Sequence, residues 1–547
     1  MKNHLFLLLI VIPALGSSQS ILDQGELHGN FQLDAQYYNS DSLIGAPEVP
    51  EKMLMRGYTN LNYRLGDFTA GVRYETYLNT LQGFDPRYEG NAFPYRYASY
   101  LANGLDITVG NFYEQFGNGL IFRSYEEWGL GLDNMMDGVR LKYSPAKGVY
   151  LKGIIGKQRY FMDYGPGIVR GADVEIFINE LSDSLVNAKT QLIVGGSVVS
   201  KYQADQDPIY KLPENVASFA GRFNLIHGKF AFMGEYAYKI NDPSTVNNFI
   251  YKPGECLLLS GTYSQRGLGI MVSAKRVDNM DYRSNRAATG SALAINYIPA
   301  ITKIHTYNLS AYYPYATQPN GEMGLQAEIL YKFKKGSSLG GKYGTAIALN
   351  YSSVSSISRT VINDTTAIGE SGTLGYESDF ASVGDETYFT DLNVVITKKF
   401  SKKVKGIFTY MNLLYNKDAV QGLAGYGTIF ADIAIADLTF KIKPKHALRI
   451  ELQSLTTKHD YGSWAMGLVE YSIAPHWFVA AFNEYNYGNK KEEKRLNYYT
   501  FQAGYKDKGN SFTIGYGRQR DGIFCAGGVC RYVPASNGFS LAITSSF

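Results

Sequence analysis

The last eleven residues, 537–547, read NGFSLAITSSF. Alternate positions form a mostly apolar face: Phe539, Leu541, Ile543, Ser545 and Phe547. The positions between them form a small and polar face: Ser540, Ala542, Thr544 and Ser546. Such alternation is typical of a strand with one face in lipid and the other toward water. Because backbone groups in lipid need partners on both edges of a strand, the stretch predicts the closing strand of a transmembrane β-barrel, with Phe547 as the barrel-closing terminal residue.

The start of the chain predicts an export signal. Lys2 supplies a positive charge and residues 5–12 (LFLLLIVI) an apolar run, and either 14–16 (ALG) or 17–18 (SS) supplies the small residues of a cleavage site. The apolar run is too short to cross a membrane as a helix. We therefore expect a signal peptide at 1–18 and a single outer-membrane barrel domain at 19–547. Because the alternation starts at residue 26, we expect no separate plug domain before the barrel.

The composition fits this class and excludes others. Aromatic residues make up 14% of the 547 residues, with 45 Tyr, and there are 57 Gly. Tyr and Gly at this level suit alternating strands with aromatic girdles. Without Lys2 the chain has 52 basic and 49 acidic residues, a net charge of +3. This near-balance, without a long basic block, argues against a nucleic-acid partner.

Alternating stretches recur along the whole chain, and we count 26 of them, with 24–26 as the expected range. They lie at 26–38, 56–66, 67–77, 93–103, 105–115, 138–144, 149–158, 169–181, 190–202, 216–226, 229–239, 256–265, 268–277, 290–298, 304–313, 323–333, 344–356, 388–399, 403–414, 428–442, 446–456, 464–473, 477–486, 497–505, 510–518 and 537–547. Short and long connections alternate between them, which predicts short periplasmic turns and longer extracellular loops.

Several strands place charged residues on the face opposite their apolar residues. In 446–456, for example, Leu448, Ile450 and Leu452 alternate with charged or polar residues. A charge on the lipid face at mid-membrane costs about 2–4 kcal/mol, so we expect the charged face to line a wet lumen. The charges expected to face the lumen are Arg73, Glu75, Arg140, Lys142, Lys152, Glu235, Asp432, Arg449 and Glu451.

Residues 111–138, NFYEQFGNGLIFRSYEEWGLGLDNMMDG, are too apolar and Gly-rich for an ordinary outer loop. Gly117, Gly119 and Gly131 permit positive φ or close backbone approach, and the run Leu120–Phe122 needs burial. One hypothesis is that the stretch folds inward and constricts the lumen, with five charges facing the water: Glu114, Arg123, Glu126, Glu127 and Asp133. The alternative is a bulged strand extension above the membrane, packed on neighbouring loops.

The same stretch carries a resemblance, in the motifs YEQFG (113–117), GL (119–120), Arg123, YE (125–126), LG (130–131), DN (133–134) and DG (137–138). The run LGGKYG (339–344) supports it more weakly. In these motifs the chain resembles a group of large outer-membrane barrels from Bacteroidota of unassigned function. The resemblance covers most of the mature chain and implies a barrel in the bacterial outer membrane, with no activity to carry over.

The remaining residue types point to little chemistry. Cys525 and Cys530 bracket a Gly-rich turn, where a disulfide can form in an oxidising compartment. Cys256 stands alone, and no second Cys pair or His lies near enough for a metal site. His459, next to Asp460, is the only His expected at the outer rim, and a His–Asp pair without a nucleophile is a weak triad signal. We therefore expect no enzyme, no catalytic residue, no metal and no cofactor.

Two functions remain open from the sequence. The first is a porin-like channel for hydrophilic solutes, narrowed by the inward loop, because a barrel of this width needs occlusion. The second is a non-conducting barrel that serves an outer-membrane assembly, secretion or transport complex. The expected partners are outer-membrane lipid and lipopolysaccharide, the barrel-assembly machinery through the last strand, and, for the second function, a lipoprotein or periplasmic protein.

Overall fold

The protein is a closed antiparallel β-barrel in the computed structural model, which describes residues 25–526 and 529–547. Within these residues 24 strands form one sheet, and each strand pairs with the next along the chain. The barrel closes because the first strand pairs with the last, from Asn30 opposite Ser546 to Tyr38 opposite Gly538. The predicted all-β barrel is thereby confirmed. The predicted signal peptide, 1–18, lies outside the described residues.

The barrel strands are numbered here in chain order. The first twelve are β1 (Glu26–Tyr38), β2 (Met53–Leu65), β3 (Phe68–Leu78), β4 (Gly90–Ala102), β5 (Leu105–Phe112), β6 (Met136–Ala146), β7 (Val149–Tyr160), β8 (Asp163–Phe177), β9 (Thr190–Tyr202), β10 (Asn215–His227), β11 (Phe230–Lys239) and β12 (Gly254–Gln265). The second twelve are β13 (Leu268–Asp278), β14 (Gly321–Lys332), β15 (Thr345–Ile357), β16 (Val383–Lys399), β17 (Val404–Asn416), β18 (Thr428–Lys443), β19 (His446–Thr456), β20 (Trp464–Ile473), β21 (Trp477–Tyr485), β22 (Asn497–Asp507), β23 (Asn510–Gln519) and β24 (Ser536–Ser546).

Small elements occupy the connections. Three short hairpins join Glu114–Gln115 to Arg123–Ser124, Glu126–Glu127 to Leu132–Asp133, and Gly522–Ala526 to Val529–Val533. The helical elements are α1 (Lys417–Gln421) and the 3-10 turns Pro86–Tyr88, Trp128–Leu130, Ile178–Glu180, Thr245–Asn247 and Glu492–Lys494. Among the described residues, no helix has the length and apolar character needed to cross a membrane.

The wall has an exposed apolar outer face and a largely buried inner face. In β19, Leu452 is 60% exposed, whereas its neighbours Glu451 and Gln453 are buried. Successive side chains of a strand point to opposite faces, so the exposed positions mark the outside. Large apolar side chains recur there: Phe68, Leu101, Val109, Ile155, Phe219, Phe232, Leu325, Leu392, Phe430, Val469, Phe501 and Phe539.

Among the described residues the 24 barrel strands agree with the expected range of 24–26, and two of the 26 stretches counted, 290–298 and 304–313, form no barrel strand. Both stretches belong to the connection between β13 and β14, residues 279–320. Their apolar side chains alternate as a strand's would, but Ile295 and Leu309 are fully buried inside the protein rather than exposed on its outside. A two-residue pattern reports burial on one face and does not say what covers that face.

Asp432 corrects a second expectation, since it lies on the outer face of β18. Its carboxylate accepts hydrogen bonds from Tyr410 Oη (2.7 Å) and Asn412 Nδ2 (2.9 Å), and its neighbours Ala431 and Ile433 are buried. Those inner-face side chains pack against residues of the 279–320 connection. Because protein rather than water meets this part of the inner wall, its inner face is apolar and the charge faces outward.

The two ends of the barrel differ in the length of their connections. At one end most turns are short, such as 66–67, 103–104, 228–229 and 508–509. At the other end β7 and β8 are joined by residues 161–162 alone, and the other connections are longer. The longest is 279–320, followed by 358–382 and 113–135. The end with the long connections carries the features described next.

Candidate functional site inside the barrel

Two connections fold into the barrel, and the first is residues 113–135, here called the inner loop. Phe116, Leu120, Ile121 and Phe122 are fully buried, in one cluster with residues of β8 to β13. Phe116 N donates to Phe122 O (3.1 Å), which closes a tight turn. The turn needs glycine at position 117, where φ is +52° and an added Cβ would lie 2.7 Å from the Glu235 carboxylate.

The inner loop reaches inner-face residues of strands far apart in the barrel. Asn118 N donates to Glu235 Oε2 of β11 (2.7 Å). Near its other end, Trp128 Nε1 donates to Asp34 Oδ2 of β1 (3.2 Å). A segment that touches the inner faces of both β1 and β11 lies within the lumen.

The five charged residues of the predicted constriction have different environments. Glu114 is buried between Lys142 (2.7 Å) and Lys152 (3.1 Å), and Asp133 is buried against Arg159 (2.9 Å). The sequence predicts that these two carboxylates face open water, but in the structure they are buried and anchor the loop.

The other three residues are partly exposed. The Arg123 guanidinium stacks on Tyr125 (4.2 Å) and Tyr297 (4.1 Å). Glu126 accepts a hydrogen bond from Arg73 Nη1 (2.9 Å), and Glu127 precedes the Trp128–Leu130 turn. Arg123, Glu126 and Glu127 are therefore the inner-loop charges that a solute could meet.

A buried ion network holds the inner loop to the wall. Arg159 donates two hydrogen bonds to the Glu75 carboxylate (2.8 and 2.7 Å) and one to Asp133 (2.9 Å). Arg73 lies between Glu75, Glu126 and Asp133, and its side chain is 4% exposed. Burial, with the neighbouring Asp133 charge, raises the pKa of Glu126 to about 7, although Arg73 opposes the shift. Three carboxylates thus share two guanidinium groups.

The strand charges expected to line the lumen lie on the inner face, apart from Asp432. Besides Arg73 and Glu75, Arg140 pairs with Asp106 (3.0 Å) and Lys142 with Glu114. In β19 the Arg449 guanidinium contacts Asp437 (3.1 Å) and Glu451. The lumen wall is therefore neutralised locally by ion pairs rather than lined by free charge of one sign.

The second inward connection is residues 279–320, here called the crossing segment. Its first part is fixed to one side of the barrel, where Lys201 Nζ of β9 donates to Arg283 O (2.7 Å) and Tyr282 Oη to Val216 O of β10 (2.8 Å). Its later part is fixed to the other side, where Leu309 N donates to Gln453 Oε1 of β19 (2.8 Å). The crossing segment therefore spans the lumen.

The two inward connections also bind each other. Tyr297 N donates to Gly119 O (2.9 Å), and Arg123 N donates to Ile295 O (2.8 Å). From the sequence the crossing segment resembles barrel strands, because its apolar residues alternate as those of a strand do. A signal in the sequence is the pair of opposite charges near its start, Asp281 and Arg283, whose side chains pair with each other and are buried in the structure.

Cavities remain around these segments. One of about 460 Å³ is lined by Tyr125, Asp281, Tyr297, Tyr415 and Tyr532. Another of about 450 Å³ is lined by Tyr307, Arg449, Glu451 and Phe482. Their walls combine aromatic rings with charged and amide groups, which suits polar ligands with some apolar surface.

His459 and Asp460, the neighbours considered in the sequence, have separate partners. His459 Nδ1 accepts a hydrogen bond from Phe430 N (3.2 Å), while Asp460 pairs with Lys417 (2.8 Å), so the two neighbours form no dyad. In the described part of the chain no group of three His, Cys, Asp or Glu residues is placed to hold a metal ion. Cys525 and Cys530 form a disulfide across the 522–533 hairpin, and Cys256 is buried and free.

Comparisons with known proteins give a family and a general likeness. The model of one protein family, described as a family of unknown function, matches residues 1–547. No curated protein matches the sequence. Similar solved structures include the P pilus usher PapC translocation pore, at 9% identity over 95% of this chain and 99% of that chain, with a TM-score of 0.46. The siderophore receptor PirA from Pseudomonas aeruginosa is 9% identical over 95% of this chain and 80% of that chain, with a TM-score of 0.41. Acinetobacter baumannii OccAB4 is 11% identical over 85% of this chain and 100% of that chain, with a TM-score of 0.34.

Proposed function

The chain belongs to the DUF6029 family of unknown function, and we propose that it is an outer-membrane barrel that passes small hydrophilic solutes through a narrowed lumen. The observation that carries the proposal is the contrast between the two faces of the wall. The outside exposes large apolar side chains such as Phe219 and Leu392, while the inside holds ion pairs and polar groups. Lipid would cover the first face, and water and the two inward connections would cover the second.

The proposal includes the export route. Residues 1–18 act as a cleaved signal, residues 19–547 form one barrel domain, and residues 537–547 are recognised by the barrel-assembly machinery. Lipid and lipopolysaccharide surround the outer face, in a membrane of the Bacteroidota type. No catalytic step and no nucleic-acid partner is part of this function.

In this function the inner loop and the crossing segment are the constriction. Arg123, Glu126 and Glu127 are partly exposed at the inner loop, so they meet the solute. Glu114 and Asp133, which are buried in ion pairs, hold the loop in place. A lumen divided in this way admits small solutes and excludes folded proteins.

Single-channel conductance in planar bilayers tests the proposal. We expect a small conductance for the wild type and a larger one after deletion of 118–132. Deletion of 361–374, from the largely exposed 358–382 connection, is the control of similar length and should leave conductance unchanged. Arg123→Ala, which keeps the loop backbone, should shift ion selectivity toward cations. A wild type that never conducts, or unchanged conductance after deletion of 118–132, would refute the proposal.

One observation favours the alternative of a non-conducting subunit. The crossing segment is fastened on both sides of the barrel, by Lys201 to Arg283 O and by the His305–Asp391 contact (2.7 Å), which restricts its freedom to move aside. A silent barrel that purifies in mild detergent with a stoichiometric lipoprotein or periplasmic protein would identify this second function.

A further inference from the structure

The strongest unassigned feature is a cavity of about 310 Å³ inside the barrel, where the first and last strands meet. We call it the seam pocket. Its wall residues come from β1, β2 and β22 to β24, and include Asp34, Arg56, Gln502 and Ser540. Leu81, Gln82 and Phe84 of the 79–89 connection and Arg531 of the hairpin cover it.

The charges that line the seam pocket do not balance. Asp34 is bound by Arg56, whose Nη2 lies 3.1 Å from the carboxylate, and it also accepts from Trp128. Arg531 forms no ion pair among the described residues. One acidic side chain therefore faces two guanidinium groups, and the pocket has an excess positive charge.

The Arg531 guanidinium also has hydrogen-bond donors without acceptors in residues 25–526 and 529–547. Its Nη2 donates to Gly129 O (3.1 Å), and its guanidinium lies 3.9 Å from the Phe84 ring centre. The Nε and Nη1 atoms are shielded from solvent and have no acceptor within the described part of the chain. A shielded donor without an acceptor is costly.

Arg56 places a second positive charge near Arg531, since its guanidinium contacts the same Phe84 ring (4.3 Å). Burial, followed by the Arg56 charge, lowers the pKa of Arg531 to about 10, so the group remains charged at neutral pH. A second guanidinium nearby without a second carboxylate is typical of sites that bind anions.

We propose that the seam pocket binds the oxyanion group of a small solute, a carboxylate or a phosphate, through Arg531. The anion would accept from the Arg531 guanidinium, whose side chain would turn so that Nε or Nη1 faces the pocket, and it would balance the excess charge. Gln82 lies in the same wall, and the amino group of its side-chain amide can donate to the anion. The inference rests on the proposed function only for the idea that the bound anion is in transit.

Binding can be followed by the fluorescence of Trp128, whose indole contacts Asp34 and lies 4.5 Å from the Arg56 guanidinium. The full-length barrel in detergent is titrated at low ionic strength with acetate, succinate and inorganic phosphate, and with glycerol as the neutral probe. We expect a saturable change with at least one of the anions and none with glycerol. Trp128→Phe should abolish the signal.

Variants then assign the site. Arg531→Gln should weaken binding about tenfold or more, because a charge-assisted hydrogen bond is lost, and Arg531→Lys should fall between the two. Arg87→Gln removes a similar charge from an exposed side chain paired with Asp85, and should bind as the wild type does. The absence of binding by any anion, or equal affinity in Arg531→Gln, would overturn the inference. Anion binding by a barrel that does not conduct would leave it standing and refute transport alone.

Discussion

Replacing Arg159 by methionine is expected to release the inner loop before the barrel opens. The Arg159 side chain is 2% exposed and binds two carboxylates, Glu75 of the wall and Asp133 of the loop. Without it, Glu75, Glu126 and Asp133 are left with Arg73 as their only guanidinium partner in this network. Breaking a buried ion pair from one side costs about 3–5 kcal/mol. Part of this cost falls on the loop, which can leave while the wall keeps its strand pairing.

Two tryptophans separate the loop from the wall. Trp128 lies in the inner loop and Trp477 on the outer wall, where it is 56% exposed. In urea titrations of Arg159→Met in detergent, Trp128 fluorescence should change at a lower urea concentration than the one at which the barrel unfolds. Arg140→Met, which breaks a partly exposed pair with Asp106, should cost much less. If Arg159→Met changed the free energy of loop release by less than about 0.5 kcal/mol, which is the scatter expected of neutral surface substitutions, the anchoring role of the network would be refuted.

Three further predictions follow from other parts of the molecule. The pKa of Glu126 is raised to about 7, so the folded loop holds this proton more tightly than the released loop does, and protection of the loop from proteolysis should fall as pH rises from about 5 to about 8. Glu126→Gln should remove this pH dependence, and a pH profile that the substitution leaves unchanged would contradict the prediction. Leu452→Lys places a charge on the outer face, which costs about 2–4 kcal/mol near mid-membrane, and should lower the folding yield in lipid vesicles. Leu452→Val should fold as the wild type does, and equal yields for the two variants would mean that this face does not meet lipid. The double variant Cys525→Ser/Cys530→Ser, which removes the disulfide, should destabilise the hairpin by about 2 kcal/mol and weaken anion binding at the seam pocket, as measured by Trp128 fluorescence. Unchanged affinity would mean that the hairpin does not contribute to the binding site.

The wall could be predicted from the sequence because each strand repeats the same local signal. Leu448, Ile450 and Leu452 alternate with Arg449 and Glu451, and the structure keeps that order, with Leu452 outward and Glu451 inward. The pattern failed at 290–298 and 304–313, where side chains such as Ile295 and Leu309 are covered by the inner wall instead of lipid. Alternation records which face is apolar, and the tertiary structure decides what covers it.

The inner loop was recognisable because its glycines and its Leu120–Phe122 run suit neither a strand nor a solvated loop. The roles of its charged residues could not be recognised from the sequence, since they depend on partners in strands that are distant in the chain. Glu114 becomes an anchor only because Lys142 and Lys152 face it. The seam pocket was further out of reach, because Phe84 and Arg531 lie at opposite ends of the sequence and meet only in the folded barrel.

The pairing of β1 with β24 makes the seam pocket a marker of completed assembly. Walls contributed by Asp34 and Ser540 come together only when the opposite ends of the sheet have joined. A molecule that is inserted but still unzipped along that junction has every strand and no complete binding cavity. Titration with an anion would then count the finished cylinders in a refolded sample, a quantity that spectroscopic strand content alone does not give.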